Sequence, residues 1–204
     1  MPNHCSNVLT VVGNRDMVSA FVDKVHGPGP KYPPQFEGDK LDEPKVSVFS
    51  FHQLVPIPDD VQKNPYGDGG ARSGFNVERE LWGVKWGAYD EELVRHEDNY
   101  AEYRFTTAWS PPEVFLLKAS QLFPTLTFYV SYSEESPSRG RFIIKNGELM
   151  LEVHDSYPFD GYPEYDESRS SEEGYDDEHY EKCHQVDEKY VRAHTYWVAE
   201  TSGF

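Results

Sequence analysis

Three of the four tryptophans, Trp82, Trp86 and Trp109, fall in one stretch with Lys85, Arg104, Thr106, Thr107 and Ser110. Indole faces stack on flat rings and attract cations, so Trp82 and Trp86 can hold a base while Lys85 and Arg104 hold an attached anion. Stacking is worth about 1–3 kcal/mol per base. A helix opening at Ser110 adds free N–H groups and the positive end of its dipole, about 0.3–1 kcal/mol more for an anion. Together these residues form a candidate site for a small nucleotide-type ligand. The competing reading makes the tryptophans core residues, with Lys85 extending to solvent. Fully buried Trp82 and Trp86, with no cleft at Ser110, would decide for it.

Other chemistry is poorly supported. His4-Cys5 and Cys183-His184 are adjacent pairs, with His179 and His194 near the second. Zinc ligands are usually spaced C-x₂₋₄-C or H-x₃₋₅-H, and adjacent strand residues point to opposite faces. His179 and Cys183 suit one helical face but lack two further partners, so no metal is expected. There is no GxSxG, P-loop, HExxH or GxGxxG. The glycines of Gly67-Asp68-Gly69-Gly70 do not sit between a strand and a helix. No catalytic residue and no cofactor is assigned.

The formal net charge is −17 over 204 residues. Glu152 to Tyr190 holds 14 acidic and 3 basic side chains, so most of the acid sits in one segment. Such a field repels free nucleic acid and anionic membranes and attracts basic proteins. Tyr157, Tyr162, Tyr165, Tyr175 and Tyr180 stand among these carboxylates, too aromatic for simple disorder. Three readings stay open: a nucleic-acid mimic, a docking surface for a basic partner with tyrosine anchors, or a solubilising insertion that packs its tyrosines on the sheet. No run approaches the roughly 20 apolar residues of a membrane span. The opening MPNHCSNVLTVVG lacks the layout of a secretory signal. Two cysteines give no disulfide framework and fit reduced, cytosolic thiols.

Elements must position these residues. Asn7–Val12 predicts a strand, and Asp16 a cap for a helix bearing Met17, Phe21 and Val25. Residues 27–44 predict a Pro/Gly-rich loop, Lys45–Phe51 a strand by alternation, and Asn64–Asn76 a glycine-rich loop. Glu102–Thr107 predicts a strand, Ser110-Pro111 a helix start, Pro124 its stop and Leu126–Tyr132 a returning strand. Arg141–Ile144 and Glu148–Val153 flank Asn146-Gly147, a strong hairpin signal. The end, KYVRAHTYWVAETSGF, suits a helix or a strand equally. This order is a split βαβ pattern. The expected fold is α+β, a ferredoxin-like antiparallel sheet with its helices on one face, extended by a hairpin. It divides into a domain over 1–153, with a loop-rich insertion at about 27–80, and an acidic Tyr-rich extension over 154–204.

Four ordered segments, MPNHCSNVLTVVG, FSFHQLVPIPDDV, LWGVKWGAYD and FTTAWSPPEVFLLKASQLFPTLTFYVSYSEE, carry a family resemblance. The chain resembles a family from bacteriophages and conjugative plasmids carrying the YubB-type ferredoxin-like domain. The name describes topology; two distant cysteines cannot hold an iron–sulfur cluster. His4 stands where the resemblance leads one to expect Trp, and the acidic stretch beyond residue 153 departs from it. The resemblance implies a viral or mobile-element accessory role in the cytoplasm of a bacterial host, with no established activity and no catalytic residues.

The sequence therefore leads to a non-enzymatic binding protein. One version has a counter-defence role, sequestering a small nucleotide-type immune signal at the tryptophan cluster. Another inhibits or mimics DNA before a basic host protein through its acidic surface, and an enzyme is the third. Edge-to-edge sheet pairing leaves homo-oligomers open.

Overall fold

The computed structural model describes residues 3–33, 43–65, 73–135, 138–155, 159–169, 171–172 and 174–202. The first strand, β1 (His4–Val12), leads into α1 (Arg15–Val25). Asn14, not Asp16, caps that helix, its Oδ1 accepting the Met17 N–H at 3.0 Å. Its buried Val18, Phe21 and Val25 face the sheet.

The connection that follows is compact where it is described. The two-residue strands β2 (Gly27–Pro28) and β3 (Val46–Ser47) pair antiparallel, followed by short helices α2 (Phe51–Leu54) and α3 (Asp59–Lys63). The predicted strand over Lys45–Phe51 is thus only a bridge. Its apolar alternation serves an aromatic core: Phe49 stacks on Tyr103 at 4.8 Å, and Phe51 on Phe115 at 4.0 Å. The glycines Gly67, Gly69 and Gly70 lie outside the described residues. Part of the predicted loop instead opens α4 (Gly74–Trp82).

A long hairpin, β4 (Tyr89–Glu97) and β5 (Tyr100–Ala108), precedes α5 (Glu113–Leu122) and β6 (Thr127–Glu134). The strand expected at Lys45–Phe51 is therefore supplied by β4. The helix begins after Pro112 rather than at Pro111, because a residue before proline is excluded from helical backbone. The hairpin β7 (Ser138–Lys145) and β8 (Glu148–Asp155) turns at Asn146 and Gly147, with φ of 49° and 77° as a primed turn requires.

The six-stranded sheet has the order β4-β5-β1-β6-β7-β8, antiparallel throughout. Its first four strands with α1 and α5 form the ferredoxin-like unit, and both helices pack on one face. On that face Leu9, Val11, Tyr103, Phe105, Phe128, Val130, Phe142 and Ile144 form the main core.

The opposite face is covered by the acidic C-terminal segment, through α6 (Tyr175–Arg192) and α7 (His194–Ser202) packed on β1 and β6. The ambiguous chain end is therefore helical. Tyr190 lies under Arg139 and Arg141, whose guanidinium carbons stand 4.4 and 4.5 Å from its ring centroid. Tyr162 donates to Asp187 at 2.5 Å. His194 is buried at the centre of this layer, bonded to Thr10 at 3.0 Å and Ser131 at 2.7 Å. Among the described residues no helix is long and apolar enough to cross a membrane.

Candidate functional site

The residues singled out between 82 and 110 divide among three environments. Trp82 is core: it is 1% exposed, its Nε1 donates to the Val55 carbonyl at 2.8 Å, and its ring meets Phe51 edge-on. Thr107 is also buried, donating to the Ser110 carbonyl at 2.7 Å and accepting from Asn7 Nδ2 at 2.9 Å. Arg104 and Thr106 alternate with Tyr103, Phe105 and Thr107, and so stand on the sheet face that α6 covers. The structure does not bring these four to the exposed indoles.

Lys85, Trp86, Trp109 and Ser110 do lie together. The left-handed cap at Gly83 ends α4 by donating to Arg79 at 2.9 Å, which turns the chain back over the surface. Trp86 and Trp109 are 47% and 42% exposed, with ring centroids 6.0 Å apart and planes inclined by 33°. A ring inserted between two others needs about 7 Å of plane separation, so a ligand here stacks on an outer face. Lys85 Nζ sits 5.1 Å from the centroids of both Trp109 and the exposed Phe75.

Both indoles are carried on strained backbone. Trp86 has φ of 68° and Trp109 of 67°, a conformation that costs a non-glycine residue about 1–2 kcal/mol. The Trp86 N–H donates to Glu78 Oε2 at 3.0 Å, and the Trp109 N–H to the Asn3 carbonyl at 2.9 Å. Glu78 is itself buried and accepts the Tyr32 hydroxyl at 2.7 Å. Burial pushes its carboxyl above the usual range; the Trp86 and Tyr32 hydrogen bonds and the Lys85 charge pull the other way.

Beside the indoles opens a cavity of about 380 Å³ lined by Arg79, Gly83, Val84, Lys85, Ala108, Trp109 and Ser110. Its lining includes two cations and no carboxylate, in a chain of net charge −17. A neighbouring cavity of about 330 Å³ shares Gly83 and Ser110 and reaches Glu134 and His154. Phe75, Glu78 and Arg79 escaped the sequence reading. Their signal was helical spacing, Phe75 with Arg79 outward and Glu78 with Trp82 inward, hidden by reading the adjoining residues as loop.

The cysteines are structural in setting. Cys5 is fully buried, and desolvation pushes its thiol far up. His179 Nε2 and Cys183 Sγ lie 3.5 Å apart on α6. Among the described residues no three His, Cys, Asp or Glu side chains converge as metal ligands would.

The strand order, with Lys85 and Trp86 leading into the β4–β5 hairpin, coincides with a match to a family model. The model is described as the ferredoxin-like domain in Api92-like protein, and residues 85–192 match it. The chain belongs to the Api92-like family. The matched region includes Lys85, Trp86, Trp109 and the whole of helix α6, which thereby falls within the family's domain. A crystal structure of a protein api92 from Yersinia pseudotuberculosis shares the fold, with a TM-score of 0.58 and 12% identity, over 78% of this chain and 100% of that one. No curated protein matches the chain.

Proposed function

We propose that the protein is a non-enzymatic binding protein whose ligand is a flat aromatic anion of nucleotide type, held at Lys85, Trp86 and Trp109. One observation carries this reading: two neighbouring tryptophans are half-exposed and both held at positive φ, beside a cavity lined by Arg79 and Lys85. Backbone strain at paired exposed indoles is unfavourable for stability alone, and it fixes two stacking surfaces in advance of a ligand. Arg79 and Lys85 supply charge for a phosphate, and the indoles supply the ring platform.

The resemblance of four segments within residues 1–135 to phage and plasmid proteins gives the reading its setting. In that setting the chain is a mobile-element accessory protein that sequesters a nucleotide immune signal in a bacterial cytoplasm. The test is to purify it from cells expressing bacterial immune-signalling enzymes, denature it and identify what is released by mass spectrometry. An intact nucleotide at one per chain, lost in Trp86→Ala and Trp109→Ala, is expected. An empty wild-type protein that also fails to bind added nucleotides overturns the reading.

A second reading rests on α6, where Tyr180 is 67% exposed beside Asp176, Asp177 and Glu181. An aromatic anchor ringed by carboxylates suits a basic host protein, as inhibitor or DNA mimic. Removing residues 154–190 would uncover the sheet, so the discriminating variant is Tyr180→Ala. It should abolish capture of such a partner and leave nucleotide binding intact.

A further inference from the structure

A carboxylate-rich opening lies on the other face of the sheet. A cavity of about 380 Å³ between the ends of β1, β5 and β6 and the helix α6 is bordered by Asp90, Glu134, Glu135, Asp187 and Glu188. Arg104 is the one cation of its lining that is charged at all ordinary pH, and it stands 3.7 Å from Glu102, which takes up part of its charge. This is where Arg104 and Thr106 are placed, in a setting unsuited to an anion.

Inside this ring of acid are polar atoms without a hydrogen bond. Ser133 lines the cavity, is 6% exposed, and its Oγ has no hydrogen-bond partner. Asp187 Oδ1 is buried and accepts no hydrogen bond, although Arg139 Nη1 forms an ion pair with it at 3.6 Å. A buried acceptor left without a donor is costly, so such atoms call for an occupant that supplies donors.

We infer that this cavity binds an aliphatic di- or polyamine. The charge must be cationic because Asp90, Glu135 and Glu188 line the opening against one guanidinium, with Asp187 ion-paired to Arg139 behind them. It must be spread over several atoms because no three ligating side chains converge on a point among the described residues. An ammonium group brings three donors and no acceptor, the complement of carboxylate and unpartnered hydroxyl oxygens. The volume suits a chain of about ten non-hydrogen atoms.

The experiment is calorimetric titration of the full chain with spermidine, near neutral pH in about 0.15 M sodium chloride, where exposed acid is screened. Saturation at one per chain is expected. Ser133→Ala should weaken binding roughly tenfold, as loss of one hydrogen bond to a charged group does, without lowering the unfolding temperature, because it removes an oxygen with no partner. Asp187→Asn should weaken it further. Glu80→Gln with Glu148→Gln, outside the cavity, should leave the affinity unchanged. Heats no larger than those of added sodium chloride overturn the inference, as does equal weakening by the outside pair, or an affinity unmoved by Ser133→Ala.

Discussion

The Glu78 carboxylate and the Trp86 backbone are joined by a 3.0 Å hydrogen bond, and Glu78 is 1% exposed while Trp86 is 47% exposed. A buried acid therefore fixes the backbone of a surface indole. The bond matters because Trp86 sits at φ of 68°, where its own local preference would take it elsewhere.

Replacing Glu78 with Ala leaves the Trp86 N–H and the Tyr32 hydroxyl without their acceptor. The expected loss of stability is about 1–3 kcal/mol, measured by urea denaturation. Ligand affinity at the indoles should fall as well, because Trp86 is no longer held. Glu78→Gln keeps an acceptor oxygen and should retain more of both. Equal losses in the two variants would show that the full carboxylate, with its charge and both acceptor oxygens, is needed, and that an amide of the same shape does not hold Trp86.

Glycine adopts positive φ freely, so Trp86→Gly and Trp86→Ala should differ in stability although both remove the ring. Trp86→Gly is expected to be more stable than Trp86→Ala by about 1 kcal/mol, with nucleotide binding lost in both. The same ordering is expected at Trp109, whose φ is 67°. If Ala is the more stable at either position, the left-handed backbone is not strained there.

Asn146-Gly147 shows where local sequence sufficed. Both residues sit at positive φ, the Gly147 N–H donates to Ser120 Oγ at 2.8 Å, and an added Cβ would fall 2.4 Å from Gln121 Cγ. Gly147→Ala should cost about 1–2 kcal/mol, read as a lowered urea midpoint with unchanged slope.

Legibility followed burial. β1, β5, β6 and the β7–β8 hairpin are visible because β-branched or alternating runs face a core, or because Asn-Gly admits few other turns. The edge strand β4 was not visible: YDEELVRHE is mostly charged and largely exposed, and only pairing with β5 makes it a strand. Phe49 and Phe51 alternate as a strand does, yet their partners are aromatic rings from α5 and β5, which no local pattern encodes. At the site, the type of Trp82 matched that of Trp86, but register within α4 and the turn at Gly83 sent one ring inward and the other out. Strand alternation likewise divided Arg104 and Thr106 from Thr107.

The C-terminal cover should be acid-sensitive through His194. Both ring nitrogens are engaged, by Thr10 and Ser131, and Trp197 packs beside the ring at 5.6 Å. Desolvation by burial, with Arg141 and Arg104 adding repulsion, lowers its pKa to about 3. The unfolded histidine takes its proton near pH 6.5, so as pH falls below that value the unfolded state binds more protons and stability declines until the folded pKa is reached. By that linkage roughly 2 kcal/mol is lost between about pH 7 and pH 5. Glu134 opposes it: its folded pKa is raised to about 6, so its contribution to stability grows as pH falls through that range. The contribution of His194 is therefore read as the difference between wild type and His194→Gln, each unfolded by urea at both pH values and followed by tryptophan fluorescence. Wild type should lose more than the variant by about that amount. Equal pH slopes would mean that His194 accepts its proton while still folded, between Thr10 and Ser131, and that the C-terminal helices stay docked in acid.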